Sequence, residues 1–514
     1  MKLVCRPLLV LCLIIGLFAS SAHAAVEIYI GDPGYPATAV GLNTAFQACA
    51  YYGGGVVVVP GDTIVEGSYG YVSITAPGIH LKGSGTLRNL TLTIGKPTPE
   101  LNPATGLYDK ILQYNTVIEG VTFSYDSLQA GRKGIVIQNA RSGIITNSSF
   151  INCDYAISVP PNENPIFQHV NQFQISNNRF VDCNYALRID RHSGATVTKV
   201  AGDTHFINNK VVCKIGHIYG VGVDGLVVSG NSFFFPGWYP PAQSQTKASN
   251  IYLDTCTFIV ITGNNLFEAG TDAIYLQRFE NVTITGNNIA WPGQRIPGSA
   301  IKMVRASGTT TPPPNEINMS AISGNNIMWP SEHGISIGDN CGYVSVTGNQ
   351  IREPGNALRY YGTVPLSSST HYAVYSGIAS SNVTATGNMN SGLTSPIGVF
   401  GVSSWVAQSN QNESLAIIAV PVDLTGFFGS TAAVTFAVPT TITTIVGGKP
   451  GQIVAFGTLN SNATFHHSGY IRLKGNVDTT LPAGGLGTLY LKCVSSAGNS
   501  AITGSLWVEV SRSY

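Results

Sequence analysis

The chain predicts an all-β protein, a right-handed parallel β-helix (a single-chain solenoid) followed by a C-terminal β-sandwich. Three observations carry this. First, a Ser/Thr-Gly-Asn near-repeat recurs as SGNSF at Ser229–Phe233, TGNNL at Thr262–Leu266, TGNNI at Thr285–Ile289, SGNNI at Ser323–Ile327, TGNQI at Thr347–Ile351 and TGNMN at Thr386–Asn390. Looser copies, TNSSF, SNNRF and INNKV, start at Thr146, Ser176 and Ile207. Second, the first Asn of each copy stands at 147, 177, 208, 231, 264, 287, 325, 349 and 388, so the intervals are 30, 31, 23, 33, 23, 38, 24 and 39 residues. A floor of 23–24 with one-sided excess is how a solenoid takes insertions, as loops leaving a fixed coil. Third, the segments between are short, β-branched and alternating, such as Val282 and Ile284, and are punctuated by Gly and Asn. That is strand grammar.

Met1–Ala24 reads as a secretory signal, with basic Lys2 and Arg6, an apolar core at Leu8–Phe18 and a small-residue cleavage site at Ala22-His23-Ala24. The apolar stretch is too short to span a bilayer, and no later stretch is long enough, so no membrane insertion is expected. The mature protein is expected outside the cytoplasm, extracellular or periplasmic. Residues 25–405 are assigned to the β-helix. Leu42, Ala45, Phe46 and Cys49 have helical spacing, Gly53-Gly54-Gly55 ends the helix, and Val56–Val59 is a buried strand. A helix capping the open end of a solenoid fits this order. Each coil then adds a second short strand: AISV at Ala156, ALRI at Ala186, NIYL at Asn250, AIYL at Ala273, AIKM at Ala300 and GISI at Gly334. The recurrent Asn is expected to form an internal ladder at one turn. After about 405 the repeat stops. Longer alternating strands follow at Ala433, Gln452, Tyr470, Thr488 and Leu506, assigned to a β-sandwich over 406–514.

Charge excludes nucleic acid as the main partner. Once Lys2 and Arg6 leave, 25 Lys and Arg face 26 Asp and Glu. Of nine cysteines, Cys5 and Cys12 leave with the signal. Cys153 and Cys183 each follow a repeat Phe by three residues and are expected to stack in adjacent coils, either bridged or as two buried thiols. No Cys-x-x-Cys or paired-His spacing points to a metal.

The stretch LNTAFQACAYYGGGVVVVPGD at Leu42–Asp62, with the coils after it, resembles the pectate-lyase-like superfamily. Members of that superfamily open with a helix, a Gly run and an apolar strand ending in Pro-Gly. The acidic run usual before that helix is replaced here by Ala37–Gly41. The resemblance implies a β-helix over roughly 40–400. The tail, GYIRLKGN with LPAGGLGTLYL and LWVEVSR, is similar to C-terminal domains of phage tailspikes and secreted depolymerases. That likeness implies a homotrimer, against a monomeric accessory module.

Aligning ALRID, GVGVD, NIYLD and AIYLQ puts Asp190, Asp224, Asp254 and Gln277 in one column. Three carboxylates about 5 Å apart repel and raise one another's pKa. Such a column suits acid/base or nucleophile work on a glycosidic bond, or calcium in an elimination; the alternative is that each Asp caps turn amides. Two residues earlier come Arg188, Gly222, Tyr252, Tyr275, Lys302, Ser336 and Arg359. Tyrosines flanked by cations suit an acidic polysaccharide. A turn column reads Phe235, Glu268, Trp291, Trp329, Glu353, whose tryptophans serve either as sugar subsites or as packing for inserted loops. HGISIG at His333–Gly338 resembles the polygalacturonase motif that carries a catalytic-site His. GTDAI, with Asp272, is loosely like that family's paired-Asp segment but has one Asp where the family has two, and lies 61 residues away.

The expected function is a secreted depolymerase cleaving a polysaccharide by hydrolysis or β-elimination. The catalytic candidates are Asp190, Asp224, Asp254, Asp272 and His333. The binding candidates are Arg188, Tyr252, Tyr275, Lys302, Trp291, Trp329 and Glu268. Calcium is expected only if the reaction is elimination. The alternative is a non-catalytic glycan-binding adhesin or receptor-binding spike.

Overall fold

The computed structural model describes residues 26–97, 112–161, 170–191, 201–237, 248–305, 319–338, 341–355, 371–376 and 381–391. It also describes a short hairpin within 100–110 and separate strands between 399 and 513. The secretory signal and Arg359 lie outside the described residues.

A helix, Ala39–Tyr51, is N-capped by Thr38, whose Oγ1 accepts the Gly41 N–H at 3.2 Å. It buries Leu42, Ala45, Phe46 and Cys49, the residues its spacing singled out. Gly53 and Gly54 then turn the chain at φ +78° and +139°, where a side chain would be strained. Gly55–Val59 pairs in parallel with Val26–Tyr29 on one side and Ile79–Gly83 on the other.

From there each coil contributes to three parallel sheets, and the chain is a right-handed parallel β-helix as its repeats predict. In sheet 1 one inward column is aliphatic throughout: Leu92, Ile135, Ile157, Leu187, Ile218, Ile251, Ile274, Ile301, Ile335, Val374. Sheet 2 holds the strand entering each Gly-Asn turn, such as Val170–Ser176 and Ser381–Thr386. Sheet 3 holds the three-to-five-residue strand leaving it. Its inward column includes Phe123, Phe150 and Phe180, whose rings stack at 5.0 Å. In Ile218–Ser229, Ile251–Thr262 and Ile274–Thr285 the strand runs unbroken from sheet 1 into sheet 2.

The Asn ladder is present, with one correction of register. In the six tight copies the Gly takes φ +61 to +67° and the next residue is the ladder Asn. In the looser copies Asn147, Asn177 and Asn208 occupy the Gly slot, at φ +53 to +58°. Asn tolerates the left-handed region, and those three side chains are exposed. The buried rungs there are Ser148, Asn178 and Asn209. From Asn178 to Asn388 each rung's backbone N–H and Nδ2 both donate to Oδ1 of the next rung, as in Asn231 to Asn264 at 2.9 Å each. Nδ2 also donates to a backbone carbonyl of the preceding coil. The shortest rung-to-rung interval is 22 residues.

Cys153, Cys183 and Cys213 stack in successive coils as buried free thiols. Beyond the helix, Val399–Phe400, Ser414–Ile417, Thr431–Phe436 and Ile453–Thr458 pair in parallel. Thr488–Ser495 and Leu506–Ser513 then add antiparallel. Together with Ile471–Arg472 they make one seven-stranded sheet. A three-stranded sheet accompanies it, and a separate core forms around Trp507, Phe456 and Phe465. Among the described residues no helix is long and apolar enough to cross a membrane.

Candidate active site

The outward side of sheet 1 is where the predicted side chains fall, but its columns differ from the expected ones. Arg188 pairs with Tyr219, Tyr219 with Tyr252, Tyr252 with Tyr275 and Tyr275 with Lys302, followed by Ser336 and Tyr375. The column therefore holds Tyr219 where Gly222 was expected. The Asp column is corrected with it: Asp190 is followed by Val221, then Asp254, then Gln277, because Val221 pairs with Asp254 and Asp254 with Gln277. Asp224 lies three residues further on, level with Thr257, whose hydroxyl donates to it at 2.7 Å. The physical reason is that Ile-Tyr of HIYG stacks on Ile-Tyr of NIYL. Burying that isoleucine, not matching the terminal Asp, sets the register.

The two carboxylates left in the column are each neutralised. Arg188 Nε donates to Asp190 at 2.8 Å. Arg278 pairs with Asp254 through one guanidinium edge, Nε donating to Oδ1 at 2.6 Å and Nη2 to Oδ2. Asp254 is only 8% exposed. A bidentate Arg at a half-shielded site is a strong pair and removes the like-charge strain that suggested a catalytic column.

The tyrosines also differ from expectation. Tyr252 lies against Tyr219 and Tyr275 with ring centroids 5.2 and 5.0 Å apart and planes within 8°. Arg188 covers Tyr155 and Tyr219 at 4.5 and 4.8 Å. Tyr219 and Tyr252 are 8% and 7% exposed. Their faces are occupied by one another, so this tower offers edges and hydroxyls, not open faces for sugar stacking.

A different cluster forms at the C-terminal end of the tower. Asp272 and His333 share one column, two coil steps apart with Ser299 between them, as fixed by Ile274 on Ile301 and Ile301 on Ile335. Asp272 is 6% exposed, and its Oδ1 accepts the Ser299 N–H at 2.7 Å. Burial pushes its carboxyl up to about 6, against the opposing pull of Lys302. Lys302 is held above its ordinary value, chiefly by Asp272. Its ammonium also reaches Glu332 at 3.8 Å. His333 Nδ1 accepts the Tyr372 N–H at 3.1 Å, which leaves the ring proton on Nε2. Its ring stacks on Tyr375 at 4.7 Å, and burial lowers its pKa to about 3, so it stays neutral. Asp272, Tyr275, Lys302 and His333 are thus brought together. Glu332 and Tyr375 join them without having been singled out from sequence, as Tyr219 joins the tower three coil steps before Lys302. An Ile-Tyr match would have found Tyr219, and AVYS at Ala373–Ser376 would have found Tyr375. Glu332 sits at a corner with no repeat signal.

The turn column is as expected. Phe235, Glu268, Trp291, Trp329 and Glu353 all take φ between +47 and +60° at the corner from sheet 3 into sheet 1. Trp291 and Trp329 stack at 5.0 Å, and Arg352 covers Trp329. Glu268 Oε2 and Trp291 Nε1, one coil apart, have no hydrogen-bond partner, and burial raises the Glu268 pKa. Among the described residues no three His, Cys, Asp or Glu side chains converge as a metal site would need.

No protein-family model matches the chain, and no curated protein matches it. Solved structures do. The A-module of a mannuronan C-5 epimerase from Azotobacter vinelandii is 13% identical, over 71% of this chain and 100% of its own, with a TM-score of 0.44. The Dettilon tailspike protein is 14% identical over 91% and 78%, at 0.44. The DFA-IIIase of Arthrobacter chlorophenolicus A6, without its lid, is 13% identical over 77% and 99%, at 0.47. All three are parallel β-helix folds, the class this chain's own strand register defines.

Proposed function

We propose that this protein is a secreted polysaccharide-cleaving glycoside hydrolase, with its bond-breaking groups at Asp272, Glu332 and Lys302. The observation that carries the reading is the buried Asp272 carboxyl, raised to about 6 beside a lysine that also reaches a second carboxylate. Carboxyls held in unlike environments are what acid and base roles require. Protonated Asp272 is the group to donate to the leaving glycosidic oxygen. Glu332 is the group to receive the proton of the attacking water or to attack the sugar itself. Lys302 holds Glu332 and places its positive charge near Asp272, and Tyr275 and His333 Nε2–H supply hydroxyl and imidazole donors alongside. The half-buried Trp291–Trp329 pair adds apolar surface.

Hydrolysis is preferred over elimination because Arg188, Arg278 and Lys302 each already pair with a carboxylate. Elimination draws on a cation to neutralise the uronate carboxylate.

A second reading, a glycan-binding adhesin or spike, rests on the capping bonds that Asp272 and His333 make to the next coil. Asp272→Asn separates the two, since the amide oxygen still accepts the Ser299 N–H. The test is release of reducing ends from alginate, polygalacturonate, xylan and dextran by wild type and this variant, with ultraviolet detection of unsaturated ends in parallel. Hydrolysis by wild type and its loss in the variant are expected. Equal rates in the two would assign Asp272 a capping role only, and unsaturated ends would replace hydrolysis by elimination.

A further inference from the structure

The first coils carry an aromatic cluster that the catalytic reading does not use. In the strand Ile64–Ile74 the register slips: Glu66 pairs with Arg88 and Gly70 with Leu90, so residues 67–69 oppose the single residue Asn89. Two consecutive residues of this bulge, Ser68 and Tyr69, take φ +46 and +65°. A bulky residue with positive φ is a true outlier, costing about 1–3 kcal/mol. The coil immediately above closes the same corner with Asn89 alone.

What the bulge achieves is display. Tyr69 is 52% exposed and Tyr71, two residues on, 71%. Tyr69 stacks on Tyr125 at 6.4 Å with planes 12° apart, and the Arg132 guanidinium sits 4.4 Å from the Tyr69 ring centre. Arg132 is itself fixed by the Ser127 carbonyl at 2.7 Å and by Gln129. Polar groups rim the rings: Arg88 Nε donates to Glu66 at 2.5 Å, and Asn89 Nδ2 donates to Glu66 and Asp126 at 3.1 and 2.8 Å. Open aromatic surface edged by carboxylates and an amide is the chemistry that holds a sugar ring: C–H faces on the tyrosine, hydroxyls on the rim. The buried tyrosine tower cannot provide it.

The location continues the proposed site. The bulge joins sheet 3 to sheet 1, the same corner that carries Trp291 and Trp329. Ser73, beside Tyr71, is connected to Lys302 through eight successive parallel pairings along sheet 1. At about 4.8 Å per step the separation is roughly 38 Å. We propose that Tyr69, Tyr71 and Arg132 form a remote subsite that grips the same polysaccharide far from the cleaved bond. This inference rests on the hydrolase reading.

The experiment compares Tyr71→Ala and Tyr69→Ala with wild type on alginate, polygalacturonate, xylan and dextran, and on short oligosaccharides cut from whichever polymer is cleaved. Tyr71 is exposed enough to be removed without disturbing the coil, so it decides the matter should Tyr69→Ala misfold. Affinity electrophoresis of the same variants, in gels cast with each polymer, reads binding alone. The expected result is about a 3- to 10-fold loss of kcat/KM on the polymer, reduced retardation in the gel, and unchanged kcat/KM on the short oligosaccharides. Unchanged polymer kinetics, or equal losses on polymer and oligosaccharide, would overturn the subsite while leaving the hydrolase reading intact. A wild-type protein that cleaves none of the four polymers would remove both. Concentration-dependent sedimentation abolished by Tyr71→Ala, with polymer kinetics unchanged, would reassign the patch to self-association.

Discussion

Asn264 and Asn265 are adjacent in sequence, share a side chain, and should differ several-fold in what they contribute to stability. Asn264 is 1% exposed, and its Oδ1 accepts both the backbone N–H and the Nδ2 of Asn231. Asn264→Ala leaves two buried N–H bonds of Asn231 unpaired, its backbone N–H and one of the two on Nδ2, whose other hydrogen keeps the Phe206 carbonyl. At about 1–3 kcal/mol for each, the loss is about 2–6 kcal/mol. A unit of roughly 370 residues has an unfolding entropy near 0.8 kcal/mol/K, so the melting temperature should fall by about 3–8 °C. Asn265 is half-buried and only accepts a 3.4 Å contact from Asn288. Asn265→Ala should stay within about 0.5 kcal/mol, under roughly 1 °C. The assay is a calorimetric or circular-dichroism melt of the two variants at one scan rate. Equal shifts, large or small, would refute the reasoning, because only the buried ladder distinguishes the two residues.

Asp272→Asn should abolish cleavage yet raise stability at neutral pH. The folded carboxyl is raised above its unfolded value, so its contribution is fully present below about pH 4 and is lost as pH rises through about 6; chemical denaturation of both proteins from pH 4 to 8 should show the gap opening across that window. The alkaline limb of kcat/KM should likewise fall through about pH 6, and a rate still rising above pH 7 would remove Asp272 as the acid. Asp224→Asn, at a corner bonded to Thr257, should leave cleavage within twofold of wild type on the polymer assay. Chelation with EDTA should not change the rate, since the proposed chemistry uses protein groups alone; an EDTA-sensitive rate restored by calcium would favour elimination. Sedimentation of the full chain is expected to give a trimer, and a monomer at micromolar concentration would remove that expectation.

The frame was legible because a solenoid repeats its own instructions. Gly before Asn marks each left-handed turn, and β-branched alternation marks the strands on either side. The exceptions were legible only in space. Asn177 and Asn208 look like rungs but stand in for Gly, and only their φ reveals it. The Asp column failed because GVGVD matches ALRID as letters, whereas burying Ile218 on Leu187 and Ile251 requires a shift of three. Asp272 and His333 carried a local signal, but Glu332, the second carboxylate, which reaches Lys302, comes from another coil at an irregular corner. No periodicity could have announced it.

The ladder also has a direction. From Asn178 to Asn349 each rung donates to the Oδ1 of the rung on its C-terminal side, so the side-chain amide dipoles add head to tail and polarise one another. A partly wound solenoid ending at Asn231 therefore presents two bare N–H groups at its advancing end, and the Oδ1 of Asn264 is the atom that answers both. The ladder is thus directional: each coil supplies the acceptor for the donors of the one before it. A chain interrupted in mid-solenoid would end in an open donor pair, ready to accept a coil from a neighbouring molecule.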